Sequence, residues 1–549
     1  MNRILQFTIF IFWSTLLYSQ NIVVDGVTFS ADGRTLIKYP KDKTDEEYVV
    51  PEGTEIIMSY AIDMNEHLRK ITLPSSLMKM NSQAIKSCSC LEIVVFNTYP
   101  QQIVSPIFVN NPIKEFQTSE TCLNCIAIDG VLFSSDKKVL LHFPTYNSLE
   151  PKNKYIVPES TEIISEYAFE GAHVNELILP STLKEIGDYA FSWCKTISVT
   201  WKQFPANRGL GIFAGTKISS FNVMGDDCNC VSIDGALYSK DNKCLLLVPA
   251  CKTYDRIPEG VREIGTKVMG GANIEKMILP TTLTHINDSA FYDNISYNSF
   301  LVVTGQFPIL GKHIFYDKSI SIITDNDNPY CHTSEDGSVY SNDGKVLHFA
   351  PRDFRHYSYC CVEIIDRYAF QDTYFRYGDI YIPGSVRLIR EHAFDDIKPN
   401  LPTRSEHSYY NFEFTCDALT PPKLEGEVFT EDNVGNSTLF VPKGSEELYK
   451  ATPQWNTFGT IKTPRPPQGI SEDSVSSLKV DRVDGTIYIE ALKTLDTVRL
   501  IDLNGNVVHE KNQVNSCHTI CDISSLDGFF GLLHVIFKDG DSEVVKLNF

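Results

Sequence analysis

The sequence predicts a mainly β protein: a solenoid of short repeats with β-hairpin insertions, followed by a small C-terminal β-sandwich. Three observations predict it. A 12-residue string recurs through most of the chain. A longer register of about a hundred residues opens four times on Asp-Gly. Both patterns stop at a Pro- and Ser-rich stretch, after which the runs are short and β-rich.

The first 20 residues stand apart. Met1-Asn-Arg3 is short and basic, Ile4 to Leu17 is almost all apolar and uncharged, and Tyr18-Ser19-Gln20 turns small and polar. That three-part layout is a secretory signal peptide, with cleavage expected near Ser19–Asn21. The apolar stretch of 14 residues is shorter than the roughly 20 of a spanning helix, so no membrane span is expected in the mature chain. All 15 cysteines follow it. An exported chain meets an oxidising compartment, so disulfides are open to it, and the odd count leaves at least one thiol unpaired in a monomer.

The solenoid is expected over residues 21–462. Its short string reads Pro, two residues, apolar, two residues, apolar, three residues, Ala, then an aromatic or aliphatic. Pro180 to Ala190-Phe191 is the cleanest copy; Pro280 to Ala290-Phe291 and Pro383 to Ala393-Phe394 match it position for position. Pro51, Pro74 and Pro158 open further copies, Pro258 a weaker one, and Ala369-Phe370 closes one with Tyr359 where Pro should stand. Neighbouring copies lie 22 to 24 residues apart. Runs such as Leu68-xx-Ile71-x-Leu73 and Ile274-xx-Met277-x-Leu279 precede several prolines. Their alternation fits a short strand with one buried face, and Pro ends it because it cannot donate to a ladder. Each unit is too small to bury its own apolar face; stacking buries them all. The Phe of each Ala-Phe pair is therefore expected in the core.

Each long register opens on Asp25-Gly26, Asp129-Gly130, Asp234-Gly235 or Asp336-Gly337, then an aromatic-Ser pair, then a second turn at Asp32, Asp136, Asp241 or Asp343. Two short strands about such a turn read as a hairpin. Beyond a linker at 463–477, residues 478–549 carry β-rich runs with a turn at Asn504-Gly505, the expected sandwich.

The PxxLxxIxxxAF string with its LxxLxLP strands resembles the BspA-like leucine-rich repeat surface proteins over roughly residues 22–462, which makes the expected solenoid a leucine-rich-repeat-type one. Pro stands here where the ordinary repeat places Asn or Cys, so no asparagine ladder is assumed. Pro421-Pro422, Phe429, Leu439 to Ser445, Tyr449, Trp455 and Phe458 resemble that family's closing unit, a cap for the last apolar face. The C-terminal region resembles type IX secretion sorting domains in the hairpin after Val498–Asp502, the Leu526–Phe530 stretch and the last strand; Phe549 replaces the usual basic end.

Function is read mainly by exclusion. The net charge of −20 argues against a phosphate backbone or an anionic lipid surface as partner. No HExxH, GxSxG or P-loop occurs, so no enzyme and no cofactor is expected. The Asp-Gly turns and Asp325–Asp327 lack the spacing of a calcium loop. Cys122-xx-Cys125 has metal-ligand spacing without a second pair, and Cys228-x-Cys230 is no better, so both are read as disulfides or core thiols and no metal is expected. His142 and His348 are expected half-buried in strands. Asp288-Ser289-Ala290 and Asp473-Ser474-Val475 resemble bacterial O-glycosylation acceptors, the second standing in the linker.

The resemblance implies a secreted or outer-surface adhesion protein that binds host or bacterial macromolecules, an extracellular protein or glycoprotein. Outward strand residues would form the ligand surface: Lys70, Thr72, Glu176, Ile178, Lys276, Ile278, Asp379 and Tyr381, with the two isoleucines exposed on one stripe. The alternatives are an envelope scaffold without a ligand, or a hydrolase, which a cleft of paired carboxylates with opposed pKa values would favour. N-terminal sequencing of the exported protein should begin near Gln20; a start at Met1 would refute the signal peptide.

Overall fold

The computed structural model describes residues 21–549 apart from 146–151, 197, 253, 270, 273, 293–298, 316–319, 353, 355–360, 377–378, 401–411, 430–433, 464–477, 484–485, 503–505, 523–529, 539 and 549. The expected signal peptide, Tyr359, Asn504-Gly505, and nearly all of the linker, including Asp473-Ser474-Val475, lie outside the described residues. The chain divides into two compact units, ending and beginning at Cys230 and Val231.

Unit one is a β-solenoid. A coil contributes one strand to each of up to three parallel sheets. The first sheet stacks Glu47–Val49, Lys70–Leu73, Ile93–Phe96 and Glu115–Thr118 in register, Glu47 beside Lys70, Lys70 beside Ile93, Ile93 beside Glu115. Two-residue strands build the others: Ile56–Ile57, Lys79–Met80 and Gln102–Ile103 on one side, Ile62–Asp63, Ile85–Lys86 and Phe108–Val109 on the next. The 12-residue string maps onto this path. Pro74 ends the long strand, Leu77 fills the corner, Met80 sits in the second strand and Ala84-Ile85 enters the third, all four apolar side chains buried. A second stack in the same unit pairs Lys152–Ile156, Val174–Ile178, Ser198–Trp201 and Phe221–Val223.

Equivalent aromatic positions stack down this axis. Ring centroids of Phe143, Phe169, Phe191 and Phe213 follow one another at 4.6, 5.0 and 5.0 Å. That is the spacing of stacked aromatic pairs, each worth about 0.5–1.5 kcal/mol beyond area burial. The corner just before each Ala carries an unanticipated feature: Tyr60, Gln83, Tyr167 and Tyr189 have φ of 58°, 56°, 53° and 52°. The left-handed turn aims the buried Ala inward without glycine.

The hairpins are built into the wall. The first runs Ile22–Val24, Val27–Phe29 and Thr35–Lys38 antiparallel, and the third of these strands pairs in parallel with Ile56–Ile57. The second hairpin repeats this with Cys125–Ile128, Val131–Ser134 and Val139–His142. Asp25-Gly26 and Asp129-Gly130 both hold positive φ, the two-residue turn that Gly favours at its second position. The next turn explains the recurring Ser and Asp. Ser30 Oγ donates to Asp32 Oδ1 at 2.5 Å and accepts from the Thr35 amide at 2.9 Å. Ser134, Asp136 and Val139 do the same at 2.6 and 2.9 Å.

Unit two has the same construction. Lys276–Leu279, Ser299–Val303 and Ile320–Thr324 form one parallel sheet; Asp379–Ile382, Glu413–Cys416, Thr438–Phe440 and Thr460–Lys462 form another. The fourth hairpin departs from the expected turn: Thr333 pairs with Val339 across a wider Ser334–Ser338 loop, in which Asp336 accepts from the Ser338 amide at 3.0 Å. The stack closes as a cap. Helix Glu446–Ala451 brings in Tyr449, whose hydroxyl donates to the Ala418 carbonyl at 2.8 Å, and Trp455 Nε1 donates to the Pro422 carbonyl at 3.0 Å. Both rings are fully buried, Trp455 against Phe429 and Phe458, and Tyr449 against Trp455.

The C-terminal region is one connected antiparallel sheet of five strands around a single core. The first part of strand Thr486–Asp502 lies between Leu478–Val483 and the end of Val507–Asp522; its second part lies between the start of that strand and Phe530–Phe537. Register shifts between Glu490 and Leu495 mark where the strand exchanges one neighbour for the other. Ile487, Ile489, Val498, Leu500, Leu533 and Val535 from both parts share one core.

Phe191→Ala removes the middle of an aromatic stack and should cost about 3–5 kcal/mol in denaturant unfolding of the first unit. An unchanged midpoint would show that the register is wrong.

Candidate functional site

Sheet alternation settles which side chains leave the core. In the first sheet Ile71 and Leu73 point in, and Lys70 and Thr72 point out, half-buried. Lys70 Nζ lies 4.0 Å from Glu47 in the strand beside it. In the second, Lys154 Nζ reaches Glu176 at 3.0 Å. In unit two, exposed Lys276 stands beside Phe300, 40% exposed, which lies between it and Ser321. Tyr381 donates its hydroxyl to Asp417 at 2.7 Å, and Lys462 Nζ sits 5.0 Å over the Phe440 ring in the same sheet. The Asp379 side chain lies outside the described residues.

The eight expected contact residues fall two by two on four separate sheets. The expected exposure of Ile178 is corrected: it retains 4% of its surface. Its in-register neighbours Ile156 and Thr200 flank it on either side, one strand spacing of about 4.8 Å away. Ile156, at the sheet edge, is exposed instead. Ile278 is half-buried beside Val302, which lies between it and Ile323.

A second arrangement was not legible as a site. In unit one a cleft with about 20 Å³ of free space, room for a water or two, is lined by Ser105, Phe108, Phe116, His142, Tyr167 and Glu170. His142, expected half-buried, is buried; its Nε2 lies 3.2 Å from the Tyr99 hydroxyl, and the Phe108 and Phe116 rings pack at 5.4 and 5.7 Å. Burial holds its pKa down at about 3, so the ring is neutral. Burial pushes Glu170 up to about 7, and it raises Glu166 as well, with the Asp188 charge adding to the effect. Two carboxyls shifted the same way do not form the acid and base pair of a hydrolase. His348, by contrast, is half-buried as expected, with Nδ1 2.9 Å from Asp366.

The cysteine pairs form a third arrangement. Cys122 and Cys125 hold their sulfurs 3.1 Å apart, Cys228 and Cys230 3.4 Å apart. Cys331 opens the fourth hairpin as Cys125 opens the second, with its sulfur 3.9 Å from the Gly305 carbonyl. Cys361 is disulfide-bonded. Among the described residues, no three His, Cys, Asp or Glu side chains converge as a metal requires. The Asp32, Asp136, Asp241 and Asp343 carboxyls are held below their ordinary pKa, first by the turn serine's hydroxyl, and serve the hairpin. Of the expected glycosylation acceptors, Ser289 occupies the left-handed corner before buried Ala290.

Asparagine plays an unexpected part. Asn124 accepts from the Tyr99 amide at 2.9 Å and donates to its carbonyl at 2.7 Å; Asn229 does the same to Phe204 at 2.8 and 2.9 Å. Asn65 ties three carbonyls of the preceding coil.

The profile described as "BspA type Leucine rich repeat region" matches six copies across residues 43–139, 145–241 and 251–332, just over half of the chain. Among solved structures, a leucine-rich repeat protein from Eubacterium ventriosum is 15% identical, covering 67% of this chain and 95% of its own, with a TM-score of 0.31. A leucine rich cell surface protein from Faecalibacterium prausnitzii is 16% identical, covering 70% and 96%, with a TM-score of 0.30. The pneumococcal vaccine antigen PcpA is 12% identical, covering 82% and 99%, with a TM-score of 0.24. No curated protein sequence matches the chain. No described helix is long and apolar enough to cross a membrane.

The cleft makes unit-one stability depend on pH from both sides. The folded pKa of Glu170 lies above its unfolded value near 4.5, so the stability it contributes is complete below that pH and is lost as pH rises through 7. The folded pKa of His142 lies below its unfolded 6.5, so its contribution is complete above that pH and is lost as pH falls toward 3. Glu170→Gln should therefore stabilise the unit at pH 8 by on the order of 1–2 kcal/mol, with no gain near pH 4. Urea unfolding across that range measures it, and an equal gain at both ends would contradict it.

Proposed function

The chain belongs to the BspA-type leucine-rich repeat family, and on that premise we propose that it is an exported, surface-acting binding protein that holds a host or bacterial macromolecule without turning it over. The family repeat is a protein-interaction scaffold. The observation that carries the finer reading is the in-register outer face of the unit-two sheet. There Phe300 stands beside Lys276, while Ile278, Val302 and Ile323 line the next stripe. An exposed aromatic next to a cation, with half-buried Ile278 and Ile323 on either side of a covered Val302, is the chemistry of a protein contact, where aromatic residues are enriched. Lys276 would add a salt-sensitive steering component. The basic and apolar N-terminus supports export, and the C-terminal sandwich is a candidate sorting domain for it.

A panel of purified extracellular proteins and glycoproteins, tested by surface binding with the mature chain, should yield a saturable partner. Phe300→Asp with Ile278→Asp should weaken that binding at least tenfold while leaving the far-UV spectrum and melting temperature in place. Turnover of a peptide, glycan or ester substrate, abolished by a substitution in a cleft, would overturn the reading. A panel without any saturable partner would favour the scaffold alternative.

A further inference from the structure

We propose that Cys122–Cys125 and Cys228–Cys230 are disulfide sites, two small rings that close just before successive hairpins. Four observations converge. The sulfurs already stand 3.1 and 3.4 Å apart, so each pair needs little more than about 1 Å of approach to reach a bond of about 2.05 Å. Each pair brackets an asparagine, Asn124 or Asn229, whose amide is fixed on the backbone of Tyr99 or Phe204. The clamp holds the bracketing residues in place before any bond forms. Both asparagines also turn their carboxamide oxygen toward a thiol, at 3.6 Å from Cys122 and 4.0 Å from Cys228. Finally, the fourth hairpin supplies an internal control: Cys331 occupies the strand-opening place, and Asn328 and Pro329 stand three and two residues before it, where the second cysteine of the other pairs would be; Asn328 binds the Val303 and Gly305 carbonyls instead.

The chemistry is thiol–disulfide exchange with a disulfide donor RSSR. The Cys122 thiol, half-exposed, gives up its proton, and its sulfur attacks one donor sulfur, releasing RS⁻ and forming a mixed disulfide. Cys125, buried behind it, then attacks Cys122 Sγ and releases the second RS⁻. Two electrons pass to the donor, and the two thiol protons end on the two RSH products. Burial and the neighbouring thiol hold the Cys125 and Cys230 pKa values well above the ordinary range, so neither begins the exchange. Cys228 is itself buried, so the second ring should close more slowly than the first.

The test treats the reduced full-length mature protein with oxidised glutathione, quenches with iodoacetamide in denaturant and maps peptides by mass spectrometry. Peptides spanning each pair should be recovered unalkylated and lighter by two hydrogens, the Cys122 pair first, while Cys331 stays alkylated or carries glutathione. Cys125→Ser should trap glutathione on Cys122, because the resolving thiol is gone; Cys230→Ser should do the same at Cys228. Pairs that remain alkylated in excess oxidant, or a bridge from either pair to a different cysteine, would overturn the assignment. Oxidation of the first pair alone would overturn it for Cys228–Cys230.

Discussion

Each coil leaves its backbone hydrogen bonds to be completed by its neighbours, and most other features of the two solenoids follow from that. The Ile62 amide donates to the Ala84 carbonyl at 3.0 Å, and the Ile85 amide to Ile107 at 3.1 Å, each bond crossing to the next coil. With strands of two residues, one slipped register would leave buried N–H and C=O groups without partners, at about 1–3 kcal/mol each. Parallel pairing therefore puts like positions beside like. That is why Phe169 meets Phe191, why Tyr167 meets Tyr189 at 5.3 Å, and why ion pairs run along the stack. Glu162 lies between Lys138 and Lys184 at 2.9 and 2.6 Å, one coil away on each side. Such exposed pairs contribute little singly, but a like charge at that place would oppose the register.

The same constraint makes the two ends of a stack special. A first or last coil has one face of unpaired backbone and apolar side chains. The hairpins answer the opening problem: their third strand presents a paired ladder to Ile56–Ile57 and to Ile163–Ile164. The Trp455 and Tyr449 cap answers the closing one, with both polar tips turned back to carbonyls of the chain they cover.

What the sequence made legible was whatever repeats within one coil. Pro, the two apolar positions and Ala-Phe have their burial decided by the local path, so Leu77, Met80, Leu183 and Ile186 stand where the string puts them. The Ser-Asp turn is visible as a pattern, though its reason, a hydroxyl that both donates and accepts, lies in the folded geometry of the turn. The failures involve residues whose environment is set 22 or more positions away. Alternation predicts Ile178 exposed, yet it is buried, with Ile156 and Thr200 as its in-register neighbours on either side. His142 stands in a strand beside hydrophobic residues, but Tyr99, Phe108 and Phe116 bury it, and they come from earlier coils. The asparagine clamps escaped for a related reason. They recur at turns rather than after the strand, where the repeat pattern leads one to look.

In-register stacking also determines how a binding surface is written on such a fold. Core positions answer to two neighbours at once, so replacing Phe191 disturbs Phe169 and Phe213 together. Outward positions of a sheet answer mainly to the stripe they share. The stripe through Lys154, Glu176 and Ser198 is polar, the stripe through Ile278, Val302 and Ile323 is apolar, and both rest on the same inward pattern of alternate apolar residues. The chemistry of each face can therefore change strand by strand while the register beneath it stays intact. Each long-strand sheet is also confined to one segment, because a hairpin begins the next. A contact surface on this chain is thus composed of short, chemically distinct panels, and specificity for a partner would come from the composition of one panel more than from the repeat itself.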